Sequence, residues 1–130
     1  HLCDRRQRQM CIRDRYEISN FSKPSFESKH NTKYWILDDY LGLGKSAHSL
    51  WHGKRFYYDT DWSLKSEGEA DIEEERIMLG LRLNCGIDKS LIKKDFSRFV
   101  KMGLMKESEN KIALTSEGML VSNLIISELL

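Results

Sequence analysis

His30-Asn31-Thr32-Lys33-Tyr34-Trp35 gathers an imidazole, a carboxamide, a phenol and an indole into a stretch of about one and a half helical turns. On a helix, His30 and Tyr34 lie one turn apart on one face, and Asn31 and Trp35 repeat that spacing on the adjoining face. A neutral imidazole can give one ring nitrogen to haem iron, while its other nitrogen needs a partner that fixes the tautomer. Asn31 or a backbone carbonyl could be that partner. Tyr34 and Trp35 could lie along the apolar porphyrin plane and keep a phenol or indole donor for a propionate or for water. The same residues also read as an ordinary helix start, with Asn31 as N-cap and the two aromatics buried as large apolar groups. Spacing alone leaves both readings open.

Leu41-Gly42-Leu43-Gly44, followed by Lys45-Ser46-Ala47-His48-Ser49, puts glycines and small residues where backbone could approach a ligand closely, or where two strands meet in a tight turn. His48 and His52 read as amphipathic surface groups beside a hairpin. Three cysteines, Cys3, Cys11 and Cys85, are too few and too scattered for a disulfide framework and form no Cys-x-x-Cys pair. Free thiols in a reducing compartment are expected.

Elements must hold these residues in place. Alternation over Tyr16–Phe21 predicts a strand that leaves at Asn20 into a loop through Pro24. A short helix is expected from the His30 region to about Leu37. Leu50 to Tyr58, centred on His52-Gly53-Lys54, reads as a hairpin. Asp59 to Ala70 is polar and reads as a domain boundary. Asp71-Ile72-Glu73-Glu74-Glu75 opens a helix with acids that complement its dipole, and Asn84 to Gly86 is expected to end it. Asp88 is a candidate cap for a helical region carrying Ile92, Phe96, Phe99 and Val100, which Gly103 stops. Met105 to Leu114 reads as two strands around Glu109-Asn110. Thr115 then caps a last helix with Leu120, Val121, Leu124, Ile125 and Leu129 as its buried stripe. This order of helices around a hairpin suggests a small winged-helix-like α+β module.

With 130 residues, 40% hydrophobic and 32% charged, the chain can build a core and is typical of neither a disordered segment nor a coiled coil. No apolar run approaches the roughly 20 residues of a membrane span, and no secretory signal is visible, so a cytoplasmic location is expected. The formal charge of +1 hides an asymmetry: His1–Arg15 carries five arginines against Asp4 and Asp14. The remainder is net acidic. Such an arm could be a nucleic-acid tail. However, Arg6-Gln7-Arg8-Gln9-Met10-Cys11-Ile12-Arg13-Asp14-Arg15 resembles a translated sequencing adapter and has no helical or strand period. Residues 1–15 are therefore expected to be non-native, with the natural sequence beginning near Tyr16.

Several segments together carry a family resemblance. Tyr16-Glu17-Ile18-Ser19-Asn20-Phe21, Glu27-Ser28-Lys29-His30-Asn31, Tyr34-Trp35, Tyr40-Leu41-Gly42-Leu43-Gly44 and Ala47-His48-Ser49 resemble the carboxy-terminal third of the HemW haem chaperones. These form a radical S-adenosylmethionine family also described as oxygen-independent coproporphyrinogen III oxidase-like. Met78-Leu79-Gly80-Leu81-Arg82-Leu83, Gly86-Ile87, and Leu114-Thr115 with Gly118 look like that family's last domain. The resemblance runs from Tyr16 to Leu130.

It implies an α/β fragment: residues 16–66 as the last strands and helix of a partial TIM-like barrel, and residues 70–130 as a winged-helix-like carboxy-terminal domain. It implies His30 as haem-iron ligand, with Asn31, Tyr34 and Trp35 as pocket residues. It also implies Gly44, Ser46, Ala47 and His48 near S-adenosylmethionine, although Lys45-Ser46 replaces the family's small pair. The [4Fe-4S] cluster of the complete protein needs three cysteines in a Cys-x-x-x-Cys-x-x-Cys loop, which this chain lacks. The chain alone is not expected to cleave S-adenosylmethionine. The stretch between Gly86 and Leu104 is also about one helix shorter than the family pattern.

Three functions follow as expectations. The first is haem binding and transfer to acceptor proteins, respiratory ones among them, with peripheral membrane contact and no transmembrane segment. The second is oxidative decarboxylation of porphyrinogen propionates, the oxygen-independent coproporphyrinogen III oxidase reaction of porphyrin biosynthesis. In the third, Lys93, Lys94, Arg98, Lys101 and Lys111 contact nucleic acid. A net positive footprint would be required for that. The acids at Asp71 to Glu75 and the net negative charge after the arm argue for no nucleic-acid partner.

Overall fold

The computed structural model describes residues 14–69 and 71–130, so Cys3, Cys11 and nearly all of the amino-terminal arm lie outside the described residues. Its order is β1 (Asp14–Arg15), β2 (Phe21–Ser22), α1 (Lys29–Trp35), β3 (His48–Trp51), β4 (Lys54–Tyr58), β5 (Leu64–Glu69), α2 (Ile72–Gly80), β6 (Ile87–Asp88), a 3₁₀ turn (Lys89–Leu91), α3 (Ser97–Lys101), β7 (Met105–Glu107), β8 (Lys111–Leu114), α4 (Ser116–Leu120) and α5 (Ser122–Leu129). It is a small α/β assembly of three antiparallel sheets and five helices among the described residues.

The strand expected at Tyr16–Phe21 is a turn instead. Two-residue strands β1 and β2 pair on either side of it, with Arg15 opposite Phe21. The cause is Glu17, which is fully buried and whose carboxylate accepts from the Ser19 backbone N–H at 2.9 Å and from the Asn20 carboxamide. A buried carboxylate stays buried only when its oxygens are bonded, and these local bonds curl the chain. The turn then docks on the segment after α2: Asn84 N–H donates to the Tyr16 carbonyl at 3.1 Å, and Ile18 packs against the carboxy-terminal core.

Helix α1 starts at Lys29, one turn earlier than an Asn31 cap would allow. Ser28 is the N-cap, its hydroxyl accepting from Asn31 N–H at 3.2 Å. The helix stops at Trp35, short of the expected Leu37, which has φ 56° and cannot continue it.

The hairpin expected at Leu50–Tyr58 forms with its β3 arm starting at His48, and His52 (φ 50°) and Gly53 occupy the left-handed positions of a tight turn. The expected boundary at Asp59–Ala70 contains a strand: β5 pairs with β4, so the sheet order is β3-β4-β5. The stretch can be polar because β5 is an exposed edge strand with little apolar demand. A bulge at Arg55/Phe56 leaves Glu67 without a partner residue opposite it.

Helix α2 has the expected acidic first turn, with Asp71 as its N-cap, but ends at Gly80, before the predicted Asn84. Asp88 caps only the 3₁₀ turn, and α3 begins at Ser97. The strands around Glu109-Asn110 form as β7 and β8, with β6 added on the far side of β8. The expected last helix is broken at Val121 into α4 and α5. That break turns Leu120, Val121 and Leu124 out to solvent, Leu124 being 59% exposed, while Met119, Ile125, Ile126 and Leu129 fill the core.

The buried cluster draws its members from Ile77 to Leu129, with Leu81, Ile112 and Ile125 completely enclosed. Each such side chain contributes roughly 1.5–3 kcal/mol on burial. The amino-terminal half has no comparable cluster: Leu50 is its one buried large apolar side chain among the described residues.

Candidate functional site

Helix α1 carries the candidate ligand on an exposed face. His30 Nε2 and the Tyr34 hydroxyl are 3.1 Å apart, and their rings meet edge to face at 5.0 Å. The i, i+4 spacing does what the sequence predicts. The partner that fixes the imidazole is the phenol, rather than Asn31 or a carbonyl. One ring nitrogen is thereby engaged, and Nδ1 has no hydrogen-bond partner among the described residues. A metal-binding imidazole needs this division of labour, with one nitrogen for the metal and the other donating to an oxygen.

Two neighbours grip the helix. Tyr40 meets Tyr34 edge to face at 4.6 Å, and Tyr40 is itself fixed on β3 by reciprocal backbone bonds with Leu50 of 2.8 and 3.0 Å. On the adjoining face the Arg82 guanidinium lies 5.8 Å from the centre of the Trp35 ring, a cation–π contact from the end of α2. Arg82 Nε is buried without a hydrogen-bond partner, while the same side chain reaches Asn123 Oδ1 at 3.3 Å. Asn31 is half-buried, its backbone N–H held by Ser28. Neither Tyr40 nor Arg82 stands at helical spacing from His30. Tyr40 had a signal, an aromatic directly before the glycine-rich stretch; Arg82 had none.

The glycine-rich stretch is folded on itself. A side chain at Gly42 would collide with the His48 carbonyl oxygen and the Ala47 backbone, so the close approach made by this glycine is to its own chain. Ser46 N–H donates to the Tyr58 carbonyl at 2.6 Å, Ala47 N–H to the Gly44 carbonyl at 3.4 Å, and the His48 ring pairs with Glu67 at 2.9 Å through Nδ1. These donors are engaged within the chain. The turn reading therefore accounts for Gly42, Ser46, Ala47 and His48, and the structure does not bring them to His30.

No group of three or more His, Cys, Asp or Glu side chains able to hold a metal occurs among the described residues. Cys85 is a free, exposed thiol. With two further cysteines in the whole chain, both far from it in sequence, the donors for an iron–sulfur cluster are not present. The Cys-x-x-x-Cys-x-x-Cys loop that would hold the cluster does not occur in this sequence, so the cluster does not fit this chain.

A groove of about 540 Å³ lies between the β1–β2 hairpin, Thr32 of α1 with Ile36 just past its end, and Leu83 to Cys85. It is on the side of α1 turned away from His30 and Tyr34, so the candidate ligand faces open surface. The basic residues of the carboxy-terminal half are partly neutralised, since Lys93 pairs with Glu73 at 3.1 Å and Arg98 with Glu128. No helix among the described residues is long and apolar enough to cross a membrane.

No family model and no solved structure matches the chain. Relatives do. The chain is 32% identical to the haem chaperone HemW of Bacillus subtilis over 83% of its own length and 36% of that protein's. It is 28% identical to the HemW of Lactococcus lactis over 88% of its length and 37% of the relative's. It is 37% identical to the HemW of a Synechocystis strain over 55% of its length. The chain thus spans about a third of the length of the first two relatives.

Proposed function

We propose, from the kinship of most of this chain with the HemW haem chaperones, that it is the carboxy-terminal part of such a protein and that α1 presents His30 to haem iron. The observation that carries the reading is the His30–Tyr34 pair, an exposed imidazole with one nitrogen tied to a phenol and the other free of partners among the described residues. Haem is cargo here. Tyr34 fixes the tautomer, Trp35 offers an indole face backed by Arg82, and Asn31 flanks the ring as a polar neighbour. The open setting of the site suits a cargo that must be released to an acceptor protein, because an enclosed pocket would slow its departure.

In this reading the element order from α2 to α5, with sheet order β6-β8-β7, is a winged-helix-like domain whose second helix is reduced to the Lys89–Leu91 turn. Residues 16–66 adjoin the barrel of the parent in this reading, and the antiparallel pairing of β3 to β5 supports a closing appendage over a part of its parallel body. S-adenosylmethionine and the cluster belong to the parent's other two thirds, with Gly44, Ser46, Ala47 and His48 as no more than backbone neighbours of the former. The compartment is the cytoplasm. Ion pairing of Lys93 and Arg98 weighs against the nucleic-acid reading.

The test is a haem titration of the parent protein followed by absorption spectroscopy. His30→Ala is expected to shift the Soret band and weaken binding at least tenfold. An unchanged affinity and spectrum would remove His30 from the site. Conversion of a porphyrinogen by the reconstituted parent would favour the oxidase reading.

A further inference from the structure

His30 is not held by α1 alone. The Tyr34 ring that binds its Nε2 rests on the Tyr40 ring, and the Tyr40 hydroxyl lies 3.5 Å from an Arg55 terminal nitrogen. Arg55 is on β4, and its guanidinium binds both carboxylate oxygens of Glu75 in the first turn of α2, one contact being 3.2 Å from Nε. The Arg55 and Glu75 side chains are 27% and 17% exposed, against 82% and 76% for the Lys93–Glu73 pair. An exposed pair contributes little, but a two-pronged, mostly enclosed one fixes geometry. The hydrogen bond that the Arg55 guanidinium donates to Glu75 also holds it above its already high ordinary range. Arg55 is therefore a permanent cation at the junction of sheet and helix.

We propose that Glu75, Arg55 and Tyr40 are positioning residues for the haem-ligating imidazole: the ion pair anchors the Tyr40 hydroxyl, the Tyr40 ring blocks rotation of Tyr34, and the Tyr34 phenol keeps His30 with Nδ1 free. This rests on the haem reading of His30 given above. The contacts join three separate elements, α2, β4 and α1, so an arrangement at the start of α2 is transmitted to the ligand without touching it. Metal sites lose roughly ten- to a hundredfold in affinity when the group that orients a ligating histidine is removed.

Two measurements separate this relay from the haem reading. In nitrogen-15 NMR of the 130-residue chain, Tyr40→Leu and Glu75→Gln are expected to change the His30 tautomer ratio. Tyr40→Phe, which keeps the ring and loses the hydroxyl, should give a smaller change. In the parent protein, Tyr40→Leu and Glu75→Gln are expected to weaken haem binding about tenfold, and Glu75→Asp, which restores the anion, to recover part of it. If the folded variants leave the His30 nitrogen signals unmoved, the relay is wrong whatever haem does. If those signals move while haem affinity stays constant, the relay exists but the haem reading of His30 fails. Should Glu75→Gln not fold, Tyr40→Phe decides the NMR question, because it removes one oxygen from a half-buried ring edge and leaves the packing in place.

Discussion

At the scale of residues, the behaviour of the site turns on which nitrogen of His30 is engaged. The Tyr34 phenol takes Nε2 and leaves Nδ1 as the nitrogen that would meet iron in the proposed haem reading. Substitution Tyr34→Phe keeps the ring against Tyr40 but removes the oxygen that fixes the tautomer. Haem affinity is expected to fall roughly ten- to a hundredfold, read by haem titration, with the circular dichroism spectrum unchanged. An undiminished affinity would mean that the phenol is incidental to ligation. The imidazole and phenol were legible in the sequence because i, i+4 spacing fixes what a helix brings together. Arg55 and Glu75 were not, since they are 20 positions apart on a strand and a helix whose meeting no local pattern encodes.

At the scale of elements, capping and turn chemistry decide where helices begin. Asp88 and Asp95 accept from Ser90 and Ser97, and Asp61 accepts from Ser63 in the loop before β5. These bonds favour the charged form and hold each carboxyl below its ordinary range, the leading cause being the serine side chain at Asp61 and Asp88 and the Ser97 backbone at Asp95. A carboxyl with a lowered folded value adds stability above its unfolded value of roughly 4 and loses it as pH falls through the folded value. Stability should therefore decline below about pH 4. Asp95→Ala should flatten that decline, as measured by denaturant midpoints from pH 7 to pH 2. An identical acid slope in the variant would show that this bond is absent in solution. Such short-range signals, a polar side chain bonding the backbone two or three residues on, are also why the Asp88 and Thr115 caps could be read from sequence. The break at Val121 could not, because it answers to packing: Gly118 lies so close to the Leu104 carbonyl that any side chain there would collide with it.

At the scale of the whole molecule, the two halves are unequal in what they bury. The enclosed core lies within residues 77–129, while the sheet of β3, β4 and β5 turns Trp51, Tyr58 and Leu64 outward on one face, and Leu43 is 92% exposed. Expressed alone, residues 71–130 are expected to unfold cooperatively as a monomer. Residues 16–66, which also cut β5 short, should be poorly soluble, since an edge and an apolar face are left uncovered. Size-exclusion chromatography and thermal melts of the two pieces check this, and a soluble, cooperatively melting 16–66 would contradict it. The sequence by itself determined the His30–Tyr34 pairing, the acidic start of α2, the capped start of α4, the His52-Gly53 turn and the resemblance to the haem chaperones, because each rests on neighbours within a few positions or on a run of matching residues. Only the tertiary structure decided that Glu17 bends a would-be strand into a turn, that β5 occupies a polar stretch, and that Tyr40 and Arg82 flank α1. Those outcomes depend on long-range burial and pairing, whose free energy comes from residues far apart in the chain.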